Sequence, residues 1–216
     1  MKILFKNRRE AGCLLARSLT SYAGDKNGIV LALPRGGVPV AYEVAKTLAL
    51  ALDIMLVRKL GAPGQEELAI GAIASGGQIV LNEAIVAALS LSAEDIASVQ
   101  AREQQELDRR AQMYRGTRPQ ADLRQKNVII VDDGLATGAT MQAAILALRK
   151  QAPNKVVVAV PVAAKEAIVR IQGAADEVLC LVSPESFTAV GCWYQEFSQL
   201  TDNEVMDSLE KAWCKL

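Results

Sequence analysis

The sequence predicts an α/β fold, a parallel sheet flanked by helices, on three observations. Several short runs are apolar throughout, among them 29–33, 128–131, 156–160 and 178–182, as strands covered on both faces require. Stretches with helical spacing of apolar residues lie between such runs, so strands and helices alternate. Loops rich in glycine, proline and hydroxyls follow several strands at their carboxyl ends, the edge where open α/β sheets bind ligands.

Residues 8–21 read as a helix with Ala11, Leu14, Leu15 and Leu19 as its apolar stripe. Residues 29–33 form a buried strand stopped by Pro34, 38–50 a helix, and 54–57 a second strand. Residues 69–74 and 78–81 flank Ser75-Gly76-Gly77 and read as a hairpin. Residues 83–88 have the length of a helical turn or more. Ser92 opens a longer helix, because S-A-E-D forms a capping box with Asp95. It reaches about Tyr114, with Ile96, Val99, Leu107, Ala111 and Tyr114 on one face and many Arg, Glu and Gln on the other. Residues 116–125 are polar, hold Pro119 and read as a linker. Strand 128–131, helix 139–150, strand 156–160, helix 165–171 and strand 178–182 complete the alternation.

Composition narrows the function classes. A chain of 216 residues is by default one domain with a core able to stand without staples. Lys and Arg number 24 and so do Asp and Glu, so no general attraction to nucleic acid or membrane is expected. No apolar run reaches the ~18 residues of a transmembrane helix, and M-K-I-L-F-K-N-R-R-E has too short an apolar core for a secretory signal. Cys13, Cys180, Cys192 and Cys214 show no C-x-x-C spacing and there is no histidine, which argues against a zinc site and fits a reduced cytoplasm. Chemistry must therefore run on carboxylates, Lys, Arg, Tyr, backbone dipoles or a bound metal.

The most informative segment is V-I-I-V-D-D-G-L-A-T-G-A-T at 128–140. A buried strand delivers two acids, Asp132 and Asp133, then a loop of small and hydroxyl residues, then a helix whose amino end favours an anion. There is no Gly-Lys pair of a Walker loop, and a dinucleotide fold would place glycines first and an acid much later. Acids first and a phosphate cradle at once after them suit a diol beside a phosphomonoester, as in ribose 5-phosphate. The plain alternative is a strand–turn–helix with capping Asp and Thr. In L-A-L-P-R-G-G-V, Gly36 and Gly37 permit conformations closed to other residues and Arg35 offers a fork of donors; a turn with a surface Arg is the alternative.

The 128–140 run closely resembles the 5-phosphoribosyl-1-pyrophosphate (PRPP) signature of the type I phosphoribosyltransferases. With P-R-G-G-V and R-K-x-G-A-P, the chain is most similar to a small group of predicted phosphoribosyltransferases carrying D-D-G-x-A-T-G-A. The resemblance implies a type I phosphoribosyltransferase-like parallel sheet flanked by helices, with a small hood and a helical insertion. It is one domain over 1–216, the hood or insertion falling at roughly 83–118 and 184–216. Asp132 and Asp133 would hold the ribose hydroxyls, and Gly134, Leu135, Ala136, Thr137, Gly138, Ala139 and Thr140 the 5-phosphate. Arg35, Gly36 and Gly37 would grip pyrophosphate, with a cis peptide implied at Arg35–Gly36, joined by Arg58 and Lys59.

Arg58 and Lys59 stand where family members launch a flexible catalytic loop, here 60–68. The second Lys of R-K-x-x-K is replaced by Ala62, and Glu66 and Glu67 are the loop acids, which a plain reading leaves solvated. Asp132, Asp133, Arg58, Lys59 and Glu66 form the implied catalytic set. Four of the nine aromatics lie in S-P-E-S-F-T-A-V-G-C-W-Y-Q-E-F, similar to the segment that covers the base in purine enzymes. Phe187 and Trp193 are the implied acceptor contacts, with core packing as the alternative. Ala136 stands where the 6-oxopurine branch carries a carboxylate.

The implied activity is transfer of the phosphoribosyl group to a nitrogen acceptor, with Mg²⁺ held by PRPP and not directly by the protein, in a homodimer. A PRPP- or nucleotide-sensing regulator without transfer, and a hydrolase of phosphoribosyl compounds, stay open.

Overall fold

The structure is a computed structural model that describes residues 5–214. Its centre is a five-stranded parallel sheet in the order β2-β1-β6-β7-β8, formed by Gly28–Ala32 (β1), Ala51–Ile54 (β2), Asn127–Val131 (β6), Lys155–Val162 (β7) and Glu177–Val182 (β8). Alternate side chains on these strands feed two cores. Ile129, Val131, Val157 and Ala159 face one core, and Val128, Ile130, Val156, Val158 and Val160 face the other. Helices α1 (Arg8–Arg17), α2 (Gly37–Leu48) and α7 (Asp202–Trp213) cover the first face with Leu15, Val44, Leu48, Val205 and Leu209. Helices α5 (Ala139–Arg149) and α6 (Lys165–Gln172) cover the second with Met141, Ile145, Ala167 and Ile171. Double coverage is why the strands are apolar throughout.

A three-stranded antiparallel sheet, Val57–Ala62 (β3), Gln65–Ala74 (β4) and Gln78–Leu81 (β5), follows β2. It precedes the 83–118 segment assigned to the hood or insertion. The expected strand at 54–57 is divided: β2 ends at Ile54 in one sheet and β3 begins at Val57 in the other. Ser75 clamps the crossing, its Oγ accepting from Leu56 N at 3.0 Å and its own N–H donating to Leu56 O at 2.8 Å. The expected loop at 60–68 is mostly strand, narrowed to a turn at Pro63-Gly64, where Gly64 has φ +73°. Gly61 permits this, since a Cβ there would lie 2.8 Å from Glu66 Cα, and the register shifts on both sides of it.

Helices α3 (Glu83–Ala88) and α4 (Ala93–Arg115) follow, the latter opened by the Ser92–Asp95 capping box. A buried ion pair fastens the far end of α4 to β2. Arg115 Nε donates to Asp53 Oδ1 at 3.0 Å, and Asp53 Oδ2 accepts from Ala121 N at 3.1 Å. The first helix stops at Arg17, before a 3-10 turn at Thr20–Tyr22. The sequence reading did not anticipate α7, although T-D-N-E forms its capping box through Thr201 and Glu204.

Candidate active site

Connections leave β1 and β6 in opposite directions: β1 leads through α2 to β2, and β6 through α5 to β7. A crevice at the carboxyl ends of two such strands is the usual ligand site of an open α/β sheet. The P-R-G-G and D-D-G-L-A-T-G-A-T loops both lie there. They approach so closely that glycine is required at the contact. A Cβ on Gly36 would collide with the Asp133 carboxylate, and one on Gly37 would sit 2.6 Å from Val131 O and 2.9 Å from Asp132 Cα. Gly134 is similarly confined, since a Cβ there would lie 2.6 Å from Val190 Cγ1. The cis peptide in this region joins Pro34 and Arg35, one bond before the implied Arg35–Gly36 position. Gly36 instead takes a right-handed helical conformation, φ −60° and ψ −36°, as the N-cap of α2.

Burial, and then the charge of Asp133, pushes the Asp132 carboxyl well above the usual carboxylate range. Burial also raises Asp133, opposed by hydrogen bonding and attraction from Arg8. Asp132 Oδ1 accepts from Asp133 N at 2.8 Å, which turns the first acid back onto the loop. Arg8 Nε donates to Asp133 Oδ2 at 2.8 Å, and the Tyr194 hydroxyl donates to the Asp133 backbone oxygen at 2.6 Å.

The loop after the acids divides in two. Leu135 anchors it: its N–H donates to Val162 O and its oxygen accepts from Ala164 N, both at 2.9 Å. Ala136, Thr137, Ala139 and Thr140 are exposed, while Gly138 is buried and left-handed, φ +72°, as the N-cap of α5. Thr137 Oγ1 accepts from Ala139 N at 3.4 Å. The first-turn amides of α5 lack intrahelical partners and lie beside exposed hydroxyls, the makings of an anion cradle.

Arg35 is part exposed and reaches Asp202 of α7 at 3.9 Å. Arg58 pairs with Glu103 of α4 at 2.7 Å, and Glu66 with Arg102 at 3.3 Å. Val57, Arg58, Lys59, Gly61, Glu66, Arg102 and Glu103 line one polar cleft of about 260 Å³. The side chain of Glu67 lies outside what is described. Phe187 is half-buried against core residues after β8, whereas Trp193 is 7% exposed in a cluster with Phe5, Ala11 and Val162. Phe187 therefore has the more accessible face of the two.

Sequence reading missed Arg8, Glu103, Tyr194, Phe197 and Asp202. Each acts across a long gap in sequence and carries no local signal, except that Tyr194 and Phe197 fall within the aromatic tail.

The phosphoribosyl transferase domain family matches residues 6–196. The chain belongs to that family. Its fold is that of the type I enzymes, a parallel sheet with flanking helices plus an antiparallel sheet. A curated relative from Mycobacterium tuberculosis strain H37Rv, named "Putative phosphoribosyl transferase Rv0571c", is 46% identical over 209 residues, 97% of this chain and 47% of the relative. This phosphoribosyl transferase domain thus spans about half the length of the curated relatives it matches. The crystal structure of TT1426 from Thermus thermophilus superposes with a TM-score of 0.87 at 44% identity, covering 97% of this chain and 99% of that one. The purine phosphoribosyltransferase of Pyrococcus horikoshii shares the fold at 16% identity, TM-score 0.50, with 93% and 99% covered.

Proposed function

We propose that this domain binds PRPP and transfers its phosphoribosyl group to a nitrogen acceptor, releasing pyrophosphate. The observation that carries the reading is the pair Asp132–Asp133 at the β1/β6 divergence, packed against Gly36 and Gly37 and followed at once by the amino end of α5. Family membership supports it.

Asp132 and Asp133 accept hydrogen bonds from the ribose hydroxyls. Amides and hydroxyls of 136–140 hold the 5-phosphate, and Leu135 keeps their loop in place. Arg35, Gly36, Gly37, Arg58 and Lys59 serve the pyrophosphate. The C1–O bond breaks with its electron pair leaving on pyrophosphate. The acceptor nitrogen supplies the pair for the new C1–N bond and gives its proton to solvent. Carboxylate charge beside the ribose favours the cationic character that develops at C1, so the protein acts by positioning and electrostatics.

The oxygen donors around the crevice suit a hard cation in kind. Among the described residues no group of three or more His, Cys, Asp or Glu could hold a metal ion. A Mg²⁺ ion arriving with PRPP would neutralise charge on the leaving pyrophosphate. Phe187 offers an aromatic face to the acceptor, and Glu66 stands on the adjoining hairpin.

The test is pyrophosphate release from PRPP and Mg²⁺ with a panel of nucleobases and small amines. Acceptor-dependent release supports transfer. Saturable PRPP binding without release favours a sensor, and release in water alone favours a hydrolase.

A further inference from the structure

We infer that Arg8 is a positioning residue for Asp133, itself fixed by Phe197 and Ser198, so that the first helix and the aromatic tail together set the ribose-facing acid. This rests on the PRPP reading of the site.

The Arg8 guanidinium makes three contacts. Its Nε donates to Asp133 Oδ2 at 2.8 Å, its Nη1 donates to Ser198 O at 2.9 Å, and its carbon lies 3.8 Å from the centroid of the Phe197 ring. The pair is largely shielded, with 11% of the Arg8 side chain and 13% of the Asp133 side chain exposed. Such a hold is firmer than that of a surface ion pair.

Helix stability does not explain this arginine. It is the first residue of α1, where the helix dipole disfavours a cation, and Asn7 already caps that end by accepting from Glu10 N at 3.1 Å. Nor is Phe197 placed by chance. Gly191 leaves room for its ring, since a Cβ there would lie 2.7 Å from Phe197 Cδ1, and Tyr194 stacks beside it at 5.0 Å between centroids. Phe5 joins the same assembly, its N–H donating to Trp193 O at 2.8 Å.

The consequence is orientation with charge. Gly36 and Arg8 confine Oδ2 of Asp133, which holds the carboxylate in one orientation to meet a ribose hydroxyl. Arg8 also favours the ionised form against burial. The groups facing Asp133 are Arg8 from α1, Asp132 in its own loop and Tyr194 from the aromatic tail. The β1–α2 loop presents uncharged Gly36, while Arg35 pairs with Asp202. Without Arg8, Asp133 would protonate at a higher pH and lose its acceptor role first at acid pH.

The experiment is calorimetric titration of PRPP with Mg²⁺ into wild-type protein, Arg8→Met, Arg8→Lys and Phe197→Leu, at about pH 6 and pH 8.5, with melting curves alongside. Arg8→Met is expected to weaken binding by about tenfold or more at the lower pH and clearly less at the higher. Arg8→Lys should recover part of the loss, and Phe197→Leu should weaken binding in the same pH-dependent direction. Equal affinity of all four proteins at both pH values overturns the role of Arg8 while leaving the site reading intact. A loss independent of pH and not relieved by lysine overturns it too, as general damage to the fold would look like that. Wild-type protein that fails to bind PRPP overturns the site reading itself, and this inference with it.

Discussion

The crevice between β1 and β6 and the small sheet β3–β5 are built by different means. At the crevice the packing is close: Gly36, Gly37 and Gly134 admit no side chain, and Leu135 is tied on both sides of its peptide. Around the small sheet, apolar contacts of Leu60, Ile70 and Ile73 with Val99 and Leu107 of α4 are joined by charged side chains. Arg58 meets Glu103, Arg102 meets Glu66, and Glu103 itself is only 8% exposed. The first region is fixed by close packing, the second also by ion pairs of part-exposed arginines that a ligand can compete for. The difference teaches that the crevice is the rigid half of the molecule and the small sheet with its ion pairs the adjustable half; on the function proposed above, the rigid half would hold the phosphoribosyl group.

The sharpest way to break this comparison is to remove charge from the rigid half. Asp132→Asn with Asp133→Asn is expected to abolish PRPP turnover, a loss of about 10³-fold or more, while leaving the fold intact on melting. Unchanged turnover would move the chemistry elsewhere.

Acceptor choice comes next. Ala136 is exposed in the cradle loop, and its methyl can neither accept a proton nor a hydrogen bond. Hypoxanthine and guanine should lack the general-acid/base assistance commonly worth about 10²–10⁴-fold. Efficient turnover of either base would refute this, and gain of that activity in Ala136→Asp would sharpen it.

The adjustable half is probed with two variants of opposite consequence. Glu103→Gln removes the carboxylate that competes with ligand for Arg58 and should lower the KM for PRPP by up to about tenfold with a small change in Tm. Asp53→Ala leaves Arg115 buried without its partner, so stability should fall by about 3–5 kcal/mol in denaturant melts. If Glu103→Gln cost more stability than Asp53→Ala, the ion pairs at the small sheet would be structural instead of adjustable.

The smallest effect has an inverted sign. Asp132 titrates higher in the folded chain than in the unfolded one. Its contribution to stability is therefore full at acid pH and lost as pH rises through the folded value. Asp132→Asn should raise Tm by roughly 2–4 °C at about pH 8 and change it little near about pH 4. A lower Tm at the higher pH would contradict the burial of that charge.

Much of this was legible in the sequence for physical reasons. Strands covered on both faces must be apolar, so 128–131, 156–160 and 178–182 announced themselves. The acids and the cradle are contiguous from Asp132 to Thr140, so a single segment reported most of the crevice. β3 was obscured because its Arg58 and Lys59 face polar surroundings and its glycine breaks the register. Helix α7 was signalled by T-D-N-E but overlooked behind the aromatic run. Arg8 was invisible, because 125 positions separate it from Asp133 and only folding brings them together.

The most direct test of the central claim is hydrogen exchange with and without saturating PRPP and Mg²⁺. The account predicts strong new protection at 132–141 and 34–38, with smaller ordering at 58–68. Saturable binding that leaves 132–141 and 34–38 unprotected would contradict the placement of the ligand at the β1/β6 crevice.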